Sequence, residues 1–282
     1  MDLLSSEEAP RASAGMIFVL INFELTSLEE VVPWGSPGNH ILHWFGLTDG
    51  QYWITAGSDN IFEYSDRVRR AGYGRYCKYQ VARILEDITE MIPNVLEPIP
   101  QDLVKYVSGL SRRAWMDTRD SWFERNFTSD AGDETWEVLD RANLLLNDRF
   151  LDSAYLTPST SVLLWSDDAD VHIEWENGDK LVNGELAWSA VRGSFQLPRA
   201  TFVEEVRAFH ARLFEQMTSR IEQVEAGALH PDIHVDLPGL MAENEQRREW
   251  AAQALEKREQ ACWDEIRSAI LEISSDTWPG DK

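Results

Sequence analysis

The sequence predicts an α+β fold: an antiparallel sheet with a central helical segment and a C-terminal long helical hairpin. Three observations carry that expectation. Two separated stretches, Met16 to Tyr64 and Ser161 to Leu197, break into short strand-like runs punctuated by turn residues. Between them, apolar residues recur at helical spacing from Tyr79 to Phe150. From Phe202 onward two long apolar stripes are separated by the Pro-containing break Gly227 to Gly239, the pattern of two antiparallel helices.

In the first β stretch, Met16 to Leu25 reads as a strand, and Ser27 to Glu30 starts a short helical turn before the loop Pro33 to Gly38. The centre is Ile41 to Ile54, ILHWFGLTDGQYWI. Asp49-Gly50 is a strong signal for a two-residue hairpin loop, since a type I′ turn needs positive φ at both central residues. That turn would pair Thr48 with Gln51 and Phe45 with Ile54. A further strand follows near Ile61 to Tyr64, and Arg67 to Lys78 reads as a basic, Gly-containing linker.

Val81, Ile84, Leu85, Ile88 and Met91 then mark a helix that Pro93 should stop. Trp115 to Phe127 is compatible with a helix, and Asp133 to Phe150 shows one more clearly through Trp136, Leu139, Asn143, Leu146 and Phe150. Ser161 to Trp165 and Val171 to Trp175 are the first strands of the second β region. A turn at Asn177-Gly178 follows, then strands at Leu186 to Val191 and Ser194 to Leu197. The first long helix carries Phe202, Val206, Phe209, Leu213, Met217, Ile221 and Val224. The second runs from Leu240 to Ile273 and would be about 50 Å long at 1.5 Å per residue. That exceeds a compact body of this size, so the segment after Gly239 is expected to mediate self-association.

With 282 residues the chain can bury a sizeable core in one large domain or two ordinary ones. The expected division is a disordered tail over 1–14, an α+β domain over 15–200, and a helical hairpin over 201–282 packed on that domain or extending from it. The formal net charge of −23 argues against general nucleic-acid binding, which needs clustered Lys and Arg, and favours a basic protein partner. Cys77 and Cys262 are far apart, which suggests neither a disulfide framework nor a zinc cluster and fits the reducing cytoplasm. Nothing approaches a membrane span.

The pattern FEL-x-x-L-E-E-V-x-P-W-G (Phe23 to Gly35), the LHWFGLTDGQYWI segment and IFEYS (Ile61 to Ser65) together resemble an uncharacterised bacterial family known as a domain of unknown function. The likeness continues through YQVARILEDITEMIPNVLEPIPQDL (Tyr79 to Leu103) and returns at FQLPRATFVEEVRAFHARL (Phe195 to Leu213). It spans Met16 to about Ala226. The resemblance implies a bacterial, soluble, cytoplasmic protein and carries over no catalytic residues.

Four constellations could carry function. Asp170, His172, Glu174 and Glu176 share one face of a strand, where an acidic ladder could meet a basic partner or a divalent cation, or could simply be a solvated face. His230 and His234, with Asp232, have zinc-like spacing, although Pro231 and Pro238 oppose the helix that would present them together. In Arg67 to Lys78, basic residues alternate with tyrosines that could stack on bases. His43 and Asp49 lie together in the expected hairpin. The G-x-S-x-G, P-loop, H-E-x-x-H and G-x-G-x-x-G motifs are all absent from the sequence. The reading that results is a non-catalytic acidic binding protein that masks a basic partner, as an immunity or regulatory protein would, with no cofactor. The alternative is a metal-dependent hydrolase using the ladder around His172 or the His230–His234 pair. Elemental analysis separates the two.

Overall fold

A computed structural model describes residues 19–36, 38–127, 132–258 and 260–275. The expected tail over 1–14 lies outside the described residues. The chain opens with β1 (Ile21–Leu25), β2 (Trp34–Ser36) and β3 (Asn39–Ile41), then a helical turn α1 (Trp44–Leu47). The long strand β4 (Asp49–Ala56) follows, with β5 (Asp59–Ile61), α2 (Asp66–Arg70), β6 (Lys78–Gln80) and α3 (Val81–Val95). Helices α4 (Gly109–Asn126) and α5 (Gly132–Asn143) form the central helical segment. The second β region holds β7 (Val162–Ser166), β8 (Asp170–Glu176), β9 (Leu181–Val182), β10 (Glu185–Leu186) and β11 (Arg192–Pro198). The chain ends in α6 (Arg199–Glu225), the two-residue strand β12 (Ile233–His234), α7 (Leu237–Glu256) and α8 (Trp263–Ser274).

The fold is α+β, as expected. In the first sheet β4 pairs antiparallel with β1, β5 and β6. In the second, β8 lies between β7 and β11, again antiparallel. A small third sheet joins β2 to β3 antiparallel and β3 to β12 in parallel.

Asp49-Gly50 is not a turn. Trp44 and Leu47 are fully buried within the helical turn α1, which brings residues three apart to one side of the chain. The Trp44 indole N–H donates to Asn244 Oδ1 at 2.9 Å, and the Arg247 guanidinium lies over its ring. Thr48 ends the turn, its hydroxyl donating to the Phe45 carbonyl at 2.7 Å. Asp49 then begins β4, where Leu25 faces Gly50 and Glu24 faces Gln51. Glycine is needed at 50 because a Cβ would collide with the Glu24 carbonyl oxygen of β1. The true hairpin lies a few residues on, where Ala56 pairs with Asp59 across Gly57-Ser58 and Gly57 takes φ 66°.

Two apolar clusters organise the rest. The first gathers buried side chains from β4, α3, β8, β11, α6 and α7; the second gathers Trp115, Trp122, Val138, Ala142 and Leu145 with Ile266, Ile270 and Ile273. Strand β7 is buried along its whole length and serves both, giving Val162 and Leu164 to the first and Leu163 and Trp165 to the second. Helices α6 and α7 pack together as the expected helical hairpin. The α6 stripe of Phe202, Val206, Phe209, Leu213, Met217 and Ile221 is buried as expected. The buried Arg220 ties α6 to the first sheet, donating from Nη1 to the Leu47 carbonyl at 2.7 Å and from Nη2 to the Thr26 carbonyl.

Three further expectations change. Pro93 does not stop α3 but sits in its last turn. On α5 the buried face is Val138, Leu139 and Ala142, while Trp136 and Phe150 lie exposed. The second C-terminal helix is two helices, the first ending at Glu256 and the second beginning at Trp263. The buried residues of α7, such as Leu240, Ala251 and Leu255, belong to the first cluster, whereas Ile266, Ala269, Ile270 and Ile273 of α8 belong to the second. One straight helix could not reach both. The projecting 50 Å rod on which the expected self-association rested is therefore not formed.

Gly50→Ala should destabilise the fold by about 1–3 kcal/mol through overpacking. Gly50→Asn, which a left-handed turn residue would tolerate, should be at least as damaging. Urea denaturation of both variants checks this, and near-parental stability of Gly50→Asn would restore the turn.

Candidate functional site

The acidic ladder on β8 is engaged by neighbouring groups. Val171, Ile173 and Trp175 face the first cluster, and on the opposite face Trp165 and the start of α4 reach Glu174. Glu174 is buried: its Oε2 accepts from the Gly109 amide at 2.9 Å and Arg112 Nη1 at 3.0 Å, and its Oε1 from the Trp165 indole at 3.2 Å. Glu176 is bridged to Arg192 and, at 3.3 Å, to Arg113. His172 stacks on Trp165 with ring centroids 3.9 Å apart and places Nε2 2.9 Å from Asp167 Oδ2. Burial pushes the Asp167 carboxyl up, but bonds from the Asp170 amide, His172 and the Ala169 amide outweigh it and leave the group below the ordinary range. Asp170 closes this turn through its backbone. Of the four ladder residues Glu174 is buried under the start of α4, whereas Asp170, His172 and Glu176 are half-buried.

The His230, Asp232 and His234 set does not converge. His230 Nδ1 is 3.6 Å from Asp232 Oδ2, both side chains being exposed. His234 lies on β12 opposite Ile41, where its carbonyl accepts from the Leu42 amide. Among the described residues, no group of three or more His, Cys, Asp or Glu is placed to hold a metal ion. His43 packs edge-on against Trp34, and Asp49 pairs with Lys78 at 3.4 Å, so those two do not form a pair either.

Arg67 to Lys78 is not a linker. Ser65 caps α2 by accepting from the Val68 amide, and the chain then returns so that Tyr76 bridges Glu63. Four of its cations pair with neighbouring carboxylates: Arg67 with Glu185, Arg69 and Arg75 with Glu63, Lys78 with Asp49, while Arg70 is exposed. Those carboxylates offset the positive field that a phosphate backbone would need.

Two arrangements emerge that sequence spacing did not reveal. The first is a polar chain across the first cluster. The Tyr52 hydroxyl donates to Tyr155 at 2.9 Å, and the Tyr155 hydroxyl donates to Asp87 Oδ2 at 2.8 Å. Desolvation pushes the Asp87 carboxyl up to about 7; the Tyr155 bond and Arg83 oppose the rise, while Asp152 and Glu86 add to it. Burial likewise raises both phenols. The three residues come from β4, α3 and a loop, so no local motif announces them.

The second is a surface on α4 and α5. Phe123, Phe127 and Trp136 form an aromatic triad with ring centroids 4.7 to 5.9 Å apart. Trp136 and Phe127 are each 46% exposed. On α5, Asp133 and Asp140 flank Trp136 three residues before and four after, on the same face, and Glu134 and Glu137 are exposed beside it. An exposed indole ringed by carboxylates is the anatomy of a binding hot spot for a cationic surface.

The molecule is thus an α+β chain in which, among the described residues, no helix is long and apolar enough to cross a membrane. The sequence model of one family, "Family of unknown function (DUF5984)", matches residues 20–269, and the chain belongs to that family. The match runs past Ala226, where the resemblance carried by the motifs ends, to take in α7 and part of α8. No curated protein and no solved structure matches the chain.

Two outcomes follow. Glu174→Gln should cost about 3–5 kcal/mol by leaving the Arg112 charge buried and unpaired, and Glu174→Leu with Arg112→Met should recover much of that loss. A urea-denaturation cycle measures both, and a mild single variant would return the ladder to the surface. For Asp87, the folded chain holds the proton more tightly than the unfolded chain. Its favourable contribution is complete below about pH 4 and is lost as pH rises through about 7. Asp87→Asn should therefore gain stability relative to the parent as pH rises from about 4 to about 7. A pH-independent difference between the two would show that Asp87 titrates normally.

Proposed function

We propose that this chain is a non-catalytic acidic binding protein that masks or scaffolds a basic protein partner through the α4–α5 surface. The observation that carries the reading is the exposed Trp136–Phe127 pair rimmed by Asp133, Glu134, Glu137 and Asp140. The ring atoms supply apolar area at low entropic cost, and the carboxylates supply orientation and a fast encounter. The overall charge of −23 adds long-range attraction for a cationic surface. A toxin-neutralising immunity protein or a regulatory inhibitor works in this way, and it needs no cofactor. The buried Cys77 and exposed Cys262, both free thiols, are consistent with work in the reducing cytoplasm.

The test uses a lysine- and arginine-rich peptide as probe and a glutamate-rich peptide as control, titrated calorimetrically at several salt concentrations. Asp133→Asn, Glu134→Gln, Glu137→Gln and Asp140→Asn together should weaken binding at least about tenfold and flatten its salt dependence. Trp136→Ala should weaken it by a similar factor without changing the salt slope. Neutralising Glu90, Glu215, Glu222 and Glu225, exposed carboxylates on α3 and α6, should have a small effect. Equal losses from both sets would mean that net charge alone attracts the peptide, and the α5 surface would be discarded.

A further inference from the structure

A cleft of about 690 Å³ opens between the β1 end of the first sheet and the returning segment after α2. One wall carries Tyr64, Tyr73 and Tyr76; the other carries Glu24 and Glu30. The aromatic wall is braced from behind. Tyr76 lies flat on Trp53 with centroids 3.9 Å apart, and Tyr64 is stacked on Trp188 at 4.7 Å. Tyr73 meets Tyr64 edge-on at 5.4 Å and is 41% exposed, so its ring is held in place yet open to a ligand.

The opposite wall is organised without being neutralised. Gln51 Nε2 donates to Glu24 Oε2 at 2.6 Å, and Ser27 Oγ donates to Glu30 Oε2 at 3.1 Å. Both donors are neutral, so each carboxylate is oriented while keeping its full charge. Among the described residues that line the cleft, the one cation is Lys78, and it is paired with Asp49 at 3.4 Å. Arg75, beside the cleft, lies over the Tyr76 ring and is bonded to Glu63. What remains is a cleft lined by the open Tyr73 ring and by two oriented carboxylates.

That combination selects its ligand by charge. An anion would meet two unneutralised carboxylates and the field of a strongly acidic chain, and a neutral planar ring would leave both carboxylates unanswered. A cation spread over a flat or compact organic group satisfies both walls at once, through cation–π contact on one side and a charge-assisted bond on the other. We infer that this cleft is a binding site for an organic cation of the guanidinium or alkylammonium class, seated on Tyr73 and held by Glu24 and Glu30. The site is distinct in residues from the α4–α5 surface and stands or falls separately from it.

The full chain is titrated with arginine amide and with tetramethylammonium, followed by calorimetry and amide chemical shifts. Inorganic phosphate is the anionic control, and N-acetyl-arginine-N-methylamide represents an arginine side chain within a protein. Saturable binding of the cations, with shifts centred on Gln51, Tyr73 and Gly74, is expected. Tyr73→Ala should weaken binding about tenfold, the strength of a single cation–π interaction, while Tyr73→Phe should keep it. Glu24→Gln with Glu30→Gln should weaken it at least as much. These side chains are exposed, and thermal melting of each variant verifies that the fold is kept. Stronger binding of the blocked residue than of arginine amide assigns the site to a protein side chain, the reverse to a small molecule; either retains it. Absence of saturation through the millimolar range, phosphate binding in preference, or unchanged affinity in Tyr73→Ala overturns the assignment. The variant neutralised on α5 should bind arginine amide as the parent does.

Discussion

Strand β7 has to be buried on both faces, and much of the structure answers to that requirement. Its alternation sends Val162 and Leu164 one way and Leu163 and Trp165 the other, so two layers of side chains must close on one ribbon. Its neighbour β8 inherits the same condition. On the other face of β8, His172 stacks on Trp165 and Glu174 comes under the start of α4, where a buried polar group must find a partner or cost stability. Arg112, the Gly109 amide and the Trp165 indole provide those partners. Within the ladder Glu174 thus serves the packing of α4 on the sheet.

Charge in this molecule separates into two populations. Some carboxylates are tied down by arginines: Glu63, Glu86, Glu174 and Glu176. Others stand on α5 or in the tyrosine-walled cleft, facing outward, and these give the chain its external character. Arg67, Arg69, Arg75 and Lys78 are the partners of acidic groups, so a segment that reads as cationic in sequence presents much of its charge as ion pairs.

What the sequence makes legible is periodicity. The α6 stripe, the paired strands β7 and β8 and the amphipathic α3 all follow from spacing, because the environment of each is simple and one-sided or uniformly apolar. Legibility fails where tertiary contacts override local signals. Asp49-Gly50 has the composition of a turn, but Trp44 and Leu47 are buried from a helical turn just before it, and Gly57-Ser58 supplies the actual loop. The break between α7 and α8 carries neither Pro nor Gly; it exists because two cores, rather than one, take the two halves of the stripe. Among the site residues, Asp170, His172, Glu174 and Glu176 sit at alternate positions of one strand, but nothing in the spacing reveals that α4 reaches Glu174 and Glu176. Tyr52, Asp87 and Tyr155 could not be linked at all, since their contacts cross the chain at long separations. Trp136 falls at the spacing of a buried stripe, whereas the helix turns it outward.

The placement of α8 has a bearing on how the chain comes to be folded in time. Helices α4 and α5 are made early, yet the residues that close the core above them, Ile266, Ile270 and Ile273, are made near the end of the described chain. During synthesis Trp115, Trp122 and Leu145 must wait, uncovered on one side, while β7 to α7 emerge and settle. Contacts of such long sequence separation form slowly and leave apolar surface open meanwhile. The order in which this protein leaves the ribosome is therefore opposite to the order in which its second core can be sealed.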